Sequence, residues 1–199
     1  MTHTVSLILN AAIFIVTAAL LIPLFRKDGA WTLKAAGPVF RFYTVLSNAL
    51  CAAAALCVVI ARLTGGMPYP VRILKYIFTA ALTVTMLTVL LFLGPSRKSY
   101  KGLFTGANLY LHLIGPVLAI VSFSFFEKAP MTFPESLWGM TSVVLYGIYY
   151  LYRILYAPEG KRWEDFYGYN KDGKWPVTFS AMMLGGFIVC VLLRLLQNL

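Results

Sequence analysis

Residues 40–62 read FRFYTVLSNALCAAAALCVVIAR, and the fold turns on how that run is understood. It is long and apolar enough to cross a bilayer, whose hydrocarbon core takes about 20 helical residues. Inside it, Thr44, Ser47, Asn48 and Cys51 stand at i, i+3, i+4 and i+7. That spacing gathers them on one helix face. A polar side chain in lipid is costly and needs either a partner or a task.

The rest of the chain has the same character. Of its 199 residues, 60% are hydrophobic and only 12% charged, with a mean hydropathy of +0.77. A soluble domain carries about 25% charged residues. The expected fold class is therefore all-α: one polytopic transmembrane domain over residues 1–199, a bundle of six helices. The spans fall at about 5–25, 40–62, 72–94, 106–126, 135–156 and 175–196. Unpaired backbone groups cannot face lipid, so each span is expected to be a helix. The first has no Lys or Arg before its apolar run and no small-residue cleavage site after it. It is expected to be retained rather than removed as a signal peptide.

The net charge of +10 does not imply a nucleic-acid partner, because the charges lie between spans and form no basic run laced with aromatics. Loops one, three and five, with the helix ends beside them, hold twelve of the 17 Lys and Arg residues. The positive-inside rule puts those loops in the cytoplasm and both termini outside. The expected partners are the bilayer and a membrane lipid. The cysteines, Cys51, Cys57 and Cys190, lie within spans and form no C-x-x-C, and the histidines are His3 and His112 alone. That set supports neither a disulfide framework nor a metal site, and no cofactor is expected.

Depth links two residues. With α-helical rise, Thr44 lies on the order of 6 Å inside the second span and His112 on the order of 9 Å inside the fourth, both from the cytoplasmic side. His112 is the lone histidine within a span. An ionisable residue there is a functional candidate by default. A neutral imidazole accepts a proton from a hydroxyl, and a threonine hydroxyl is unreactive until a base takes its proton. Pro116 follows at i+4, where its ring should bend the helix and free the His112 carbonyl. Asn48, one turn beyond Thr44, is a candidate donor to an oxyanion. Asn108, one turn before His112, is a candidate for binding substrate or orienting the ring. Ser47 is a further substrate or oxyanion candidate, though it and Cys51 read more simply as interhelical packing. In the fifth span, Ser142, Tyr146, Tyr149 and Arg153 form a row. Tyr149 and Arg153 are substrate candidates there, against the plainer reading of an aromatic belt ending in a snorkelling arginine. Residues 157–175, APEGKRWEDFYGYNKDGKW, are long enough to fold over the cytoplasmic mouth.

Two of these segments resemble a known family. RFYTVLSN in the second span and LHLIGPVL in the fourth are similar to the androgen-induced and androgen-dependent membrane hydrolases and their bacterial relatives. WEDFYGY before the last span is loosely similar to an aromatic segment of the animal members. The resemblance implies a six-helix membrane enzyme that hydrolyses fatty acid esters of hydroxy fatty acids, here in a bacterial inner membrane. It implies Thr44 as nucleophile and His112 as its histidine. Two other classes stay open: an acyltransferase using the same pair, and a small transporter or lipid-binding protein whose polar stripe lines a passage.

Overall fold

The structure is a computed structural model and describes residues 2–199. The chain is nearly all helical. Among the described residues, five helices are long and apolar enough to cross a membrane: α1 (Thr2–Phe25), α3 (Tyr43–Leu63), α4 (Tyr69–Arg97), α5 (Ala107–Phe126) and α7 (Trp175–Asn198). The short α2 (Leu33–Ala36) precedes α3. Such helices are compatible with a multi-pass membrane protein.

The predicted span over 135–156 is helical through residues 133–156 (α6), but it is built differently. A 3₁₀ turn interrupts it at Leu137–Met140, and its five tyrosines and Arg153 dilute its apolar character. The expected fifth span is therefore a tyrosine-rich helix that does not stand among the five long apolar ones. Its capping box is complete: the Thr132 hydroxyl accepts from the Glu135 amide, and the Glu135 carboxylate accepts from the Thr132 amide at 2.7 Å.

Helix α1 closes with a 3₁₀ turn and leads into an antiparallel pair, β1 (Arg26–Lys27) and β2 (Ala30–Trp31). Asp28 and Gly29 join them with φ of 51° and 82°. Two positive φ values give the turn whose twist matches a hairpin, and Asp-Gly is the pair that tolerates them. This hairpin is the one departure from an all-α chain among the described residues.

The main core lies among α4, α5, α6 and α7, centred on Tyr76, Ala80, Phe123, Val143 and Tyr150. A second cluster, Ile13, Cys51, Ala55, Leu82 and Ala119, packs α1 against α3, α4 and α5. A third joins Leu21, Val45, Tyr110 and Leu111, setting the end of α1 level with the starts of α3 and α5.

Three prolines leave a common signature. Pro95, Pro116 and Pro158 each follow a π-helical turn, at Val89–Leu93, Tyr110–Ile114 and Tyr152–Tyr156. A proline ring collides with the carbonyl four residues back, and widening the turn relieves that collision. In each turn the residue before the proline donates its amide five residues back: Gly94 to Val89, Gly115 to Tyr110, Ala157 to Tyr152. The next carbonyl, that of Leu90, Leu111 or Arg153, would need the proline nitrogen, which has no proton. The freed carbonyl beside His112 is therefore that of Leu111, where a purely α-helical register would free that of His112. Each orphan has found a donor: the Tyr100 hydroxyl at 2.9 Å, the Asn48 amide at 3.0 Å and the Trp163 backbone amide at 3.0 Å.

Candidate functional site

Helix α3 begins at Tyr43, after Phe42 in extended conformation, so Thr44 lies in the first turn. It is shallower than a start at Phe40 implied. The first amides of a helix lack intrahelical acceptors, and Phe42 has no side chain to supply one. Tyr167, from the loop between α6 and α7, takes that role: its hydroxyl accepts from the Tyr43 amide at 2.9 Å. Thr44 faces the same phenol through its amide and its hydroxyl. Burial pushes the Tyr167 phenol above the ordinary tyrosine range, so it stays protonated.

His112 sits in the π-helical turn of α5 and is buried. Its Nδ1 lies 2.7 Å from the Leu103 carbonyl oxygen. A carbonyl only accepts, so Nδ1 carries the proton and Nε2 keeps its lone pair. The residue that orients the histidine is thus a backbone carbonyl in the loop before α5. The ring edge also meets Phe104, with centroids 6.5 Å apart.

Asn48 ties the two helices together. It is 1% exposed, and its amide donates to the Thr44 carbonyl at 2.8 Å as well as to Leu111. The first two turns of α3 are thereby fixed against the turn that carries His112. Among the described residues no hydrogen bond joins the Thr44 hydroxyl to the His112 ring. A nucleophile and its base need not be closed before substrate binds. Thr44 opens onto a small cleft of about 40 Å³, whose walls include Val84, Thr88, Leu93, Tyr146, Tyr167 and Tyr169. His112 is not among the lining residues.

The other candidates fall elsewhere. Ser47 is fully buried and shares a 3.0 Å hydrogen bond with Thr85 of α4, which is packing. Cys51 lies in the apolar cluster with Ile13. Asn108 is exposed and donates to the Gly102 carbonyl at 2.9 Å, so it shapes the loop and does not touch the ring. The row on α6 divides. Ser142 and Tyr146 reach the start of α3, at the Tyr43 hydroxyl and the Arg41 carbonyl. Tyr149 and Arg153 bond each other, and Arg153 donates to the Lys161 carbonyl at 2.6 Å and lies over Trp163. Those two hold the 157–174 loop in place. Asp165 organises the same loop, accepting from the Tyr150 hydroxyl and from the amides of Tyr169 and Asn170.

At the other end of the bundle lies a constellation that sequence reading missed. Lys75 of α4 and Glu127 at the end of α5 are 0% and 2% exposed. Asn10 of α1 bridges them: its oxygen accepts from Lys75 at 2.8 Å and its nitrogen donates to Glu127 at 2.6 Å. Ser6 and Ser122 donate to the same carboxylate oxygen, while the other oxygen has no partner. Lys75 and Glu127 sit at span ends in sequence, where snorkelling to water is the default. Their inward turn comes from the tertiary fold. Among the described residues no group of three or more His, Cys, Asp or Glu side chains is gathered to hold a metal ion.

Comparison with family models, curated proteins and solved structures finds no match to this chain.

Proposed function

We propose that the chain is an intramembrane lipid-ester hydrolase, a six-span inner-membrane protein with both termini outside. In this reading Thr44 is the nucleophile and His112 the base. The observation that carries it is the histidine: buried, its Nδ1–H held by the Leu103 carbonyl, its Nε2 left basic in the turn that Asn48 binds to α3. This is the hydroxyl-plus-base arrangement of serine hydrolases, with a carbonyl where those enzymes use a carboxylate. The likeness of RFYTVLSN and LHLIGPVL to the androgen-induced hydrolase family agrees with it and suggests fatty acid esters of hydroxy fatty acids, or similar acyl lipids, as substrates.

The chemistry runs in two halves. The Thr44 oxygen bonds to the ester carbonyl carbon as its proton passes to His112 Nε2. The tetrahedral adduct collapses, the ester C–O bond breaks, and the leaving alcohol takes the proton from His112. Water then attacks the acyl-threonine, again giving its proton to His112. Collapse returns that proton to Thr44 and releases the fatty acid. An alcohol in place of that water gives acyl transfer by the same residues. The walls of the Thr44 cleft are mostly apolar, the chemistry an acyl chain meets, and the cleft must widen to admit one.

The test is labelling of the purified protein with a fluorophosphonate probe, paired with ester hydrolysis in mixed micelles. Thr44→Ala and His112→Ala should each lose about a thousandfold or more in hydrolysis and fall silent to the probe, while Ser47→Ala keeps both. Labelling that survives Thr44→Ala removes Thr44 as nucleophile. A second reading, a small transporter, draws on the buried Lys75–Asn10–Glu127 network, since ionisable residues inside a bundle often mark an ion path. Probe silence in the wild type together with Glu127-dependent proton flux in liposomes would favour it.

A further inference from the structure

We propose that Tyr100 is a positioning residue for His112: seated on Gly94 and bonded to the Leu90 carbonyl, it holds the turn whose Leu103 carbonyl fixes the histidine tautomer. The claim about the tautomer stands on geometry alone; the claim about rate rests on the hydrolase reading above.

The chain of contacts is continuous. Pro95 leaves the Leu90 carbonyl without a backbone donor, and the Tyr100 hydroxyl supplies one at 2.9 Å. The Tyr100 ring lies flat against Gly94, where an added Cβ would collide with the ring carbons. Only glycine leaves room for that ring. The Tyr100 carbonyl then accepts from the amides of Leu103 and Phe104 at 3.0 and 3.1 Å, so the turn starts at Tyr100 itself. That turn aims the Leu103 carbonyl at His112 Nδ1. The Phe104 ring stands between the Tyr100 ring, stacked at 5.7 Å, and the histidine. Asn108 adds a second strut at the Gly102 carbonyl.

With the ring off Gly94, the turn loses its anchor and the Leu103 carbonyl withdraws. The imidazole proton is then free to move to Nε2, which loses the lone pair that the hydrolase reading requires. The sequence holds both parts of this device close together, GPSRKSY over residues 94–100.

The experiment is ¹⁵N NMR of the histidine rings in lipid nanodiscs at a pH where they are neutral. His3→Gln leaves His112 as the single signal. The parent should show a protonated Nδ1 and an unprotonated Nε2. Gly94→Ala and Tyr100→Ala should each give mixed or exchanged tautomers. Where the parent hydrolyses ester, kcat should fall about a hundredfold with KM within about twofold, the pattern of a misplaced base. Tyr100→Phe keeps the ring seat and should fall between. If Gly94→Ala does not fold, the two Tyr100 variants decide, because shortening or keeping that ring creates no clash. A parent without a proton on Nδ1 overturns the proposal, and so does an unchanged single tautomer in folded Tyr100→Ala. A shifted tautomer in a protein that hydrolyses no ester upholds the positioning and removes the hydrolase.

Discussion

Gly94-Pro95 in α4 and Gly115-Pro116 in α5 are the same interruption made twice, and the molecule repairs them differently. Both place a π-helical turn before the proline and both orphan a leucine carbonyl. The Leu111 carbonyl lies inside the bundle and is met by Asn48, 1% exposed, from another helix. The Leu90 carbonyl is met by Tyr100, 42% exposed, ten residues along the same chain. Burial decides the remedy. Inside the packed bundle the donor must come from a neighbouring helix, and so the repair welds two helices together. Outside it a local residue suffices, and it is free to do something else, here to hold a loop.

The contrast can be broken by experiment, and the charged network at the far end sets its upper scale. Lys75→Met strands Glu127 as an uncompensated buried charge and should cost about 3–5 kcal/mol in unfolding from bicelles, with Lys75→Met/Glu127→Leu recovering most of it. Recovery of nothing would mean the network is not coupled through Asn10. Asn48→Ala leaves the Leu111 carbonyl buried and unmet, and should cost about 1–3 kcal/mol; Tyr100→Phe should cost less than about 1 kcal/mol, because the bond it removes is exposed. Pro116→Ala sharpens the comparison: a restored amide can meet Leu111, so Asn48→Ala should cost less in that background, a coupling that a double-mutant cycle reads directly. Equal costs at Asn48 and Tyr100 would sink the burial argument.

The smallest effect is at the α6 capping box. Hydrogen bonds from the Thr132 amide and hydroxyl, with smaller help from Tyr69 and Arg72, hold the Glu135 carboxyl below the usual carboxylate range. Its stabilisation is therefore present at neutral pH and lost as pH falls through the lowered pKa. Glu135→Ala should cost about 0.5–1 kcal/mol at pH 7 and close to nothing once the wild-type carboxyl is protonated, measured as the difference in midpoint across a pH series.

Much of this was legible in the residues, for identifiable reasons. Apolar runs announced the long helices because the bilayer rule depends only on length and composition. Ser47 stood as a substrate candidate with packing as the simpler reading, and in the structure it bonds Thr85, while Cys51 lies in an apolar cluster. Pro116 announced an orphan carbonyl beside His112, but the π register moved it from His112 to Leu111; the proline sets the defect, and the width of the turn sets which group bears it. Asn108 looked set to reach the ring because helical spacing put it on the same face, yet it stands at the helix start and bonds the preceding loop. Tyr167 and the Leu103 carbonyl were invisible, since long-range contact has no periodicity. Lys75 and Glu127 were missed for a plainer cause: a charge at a span end is ordinarily wet, and only the meeting of α1, α4 and α5 shows that these are buried.

The loop between α5 and α6 takes its backbone partners from the far end of α7. Gln197 accepts from the Ala129 amide at 2.9 Å and donates to the Phe123 carbonyl at 2.5 Å, while Asn198 bonds both the amide and the carbonyl of Met131. Arg194 reaches the same Met131 carbonyl at 3.1 Å. Those amides and carbonyls are made long before their partners. During synthesis the loop stays unlatched until residues 194–198 are made. The order of assembly is therefore written into the chain: the helices that carry Thr44 and His112 are made early, and the clasp that closes the opposite end arrives with the last turn of α7.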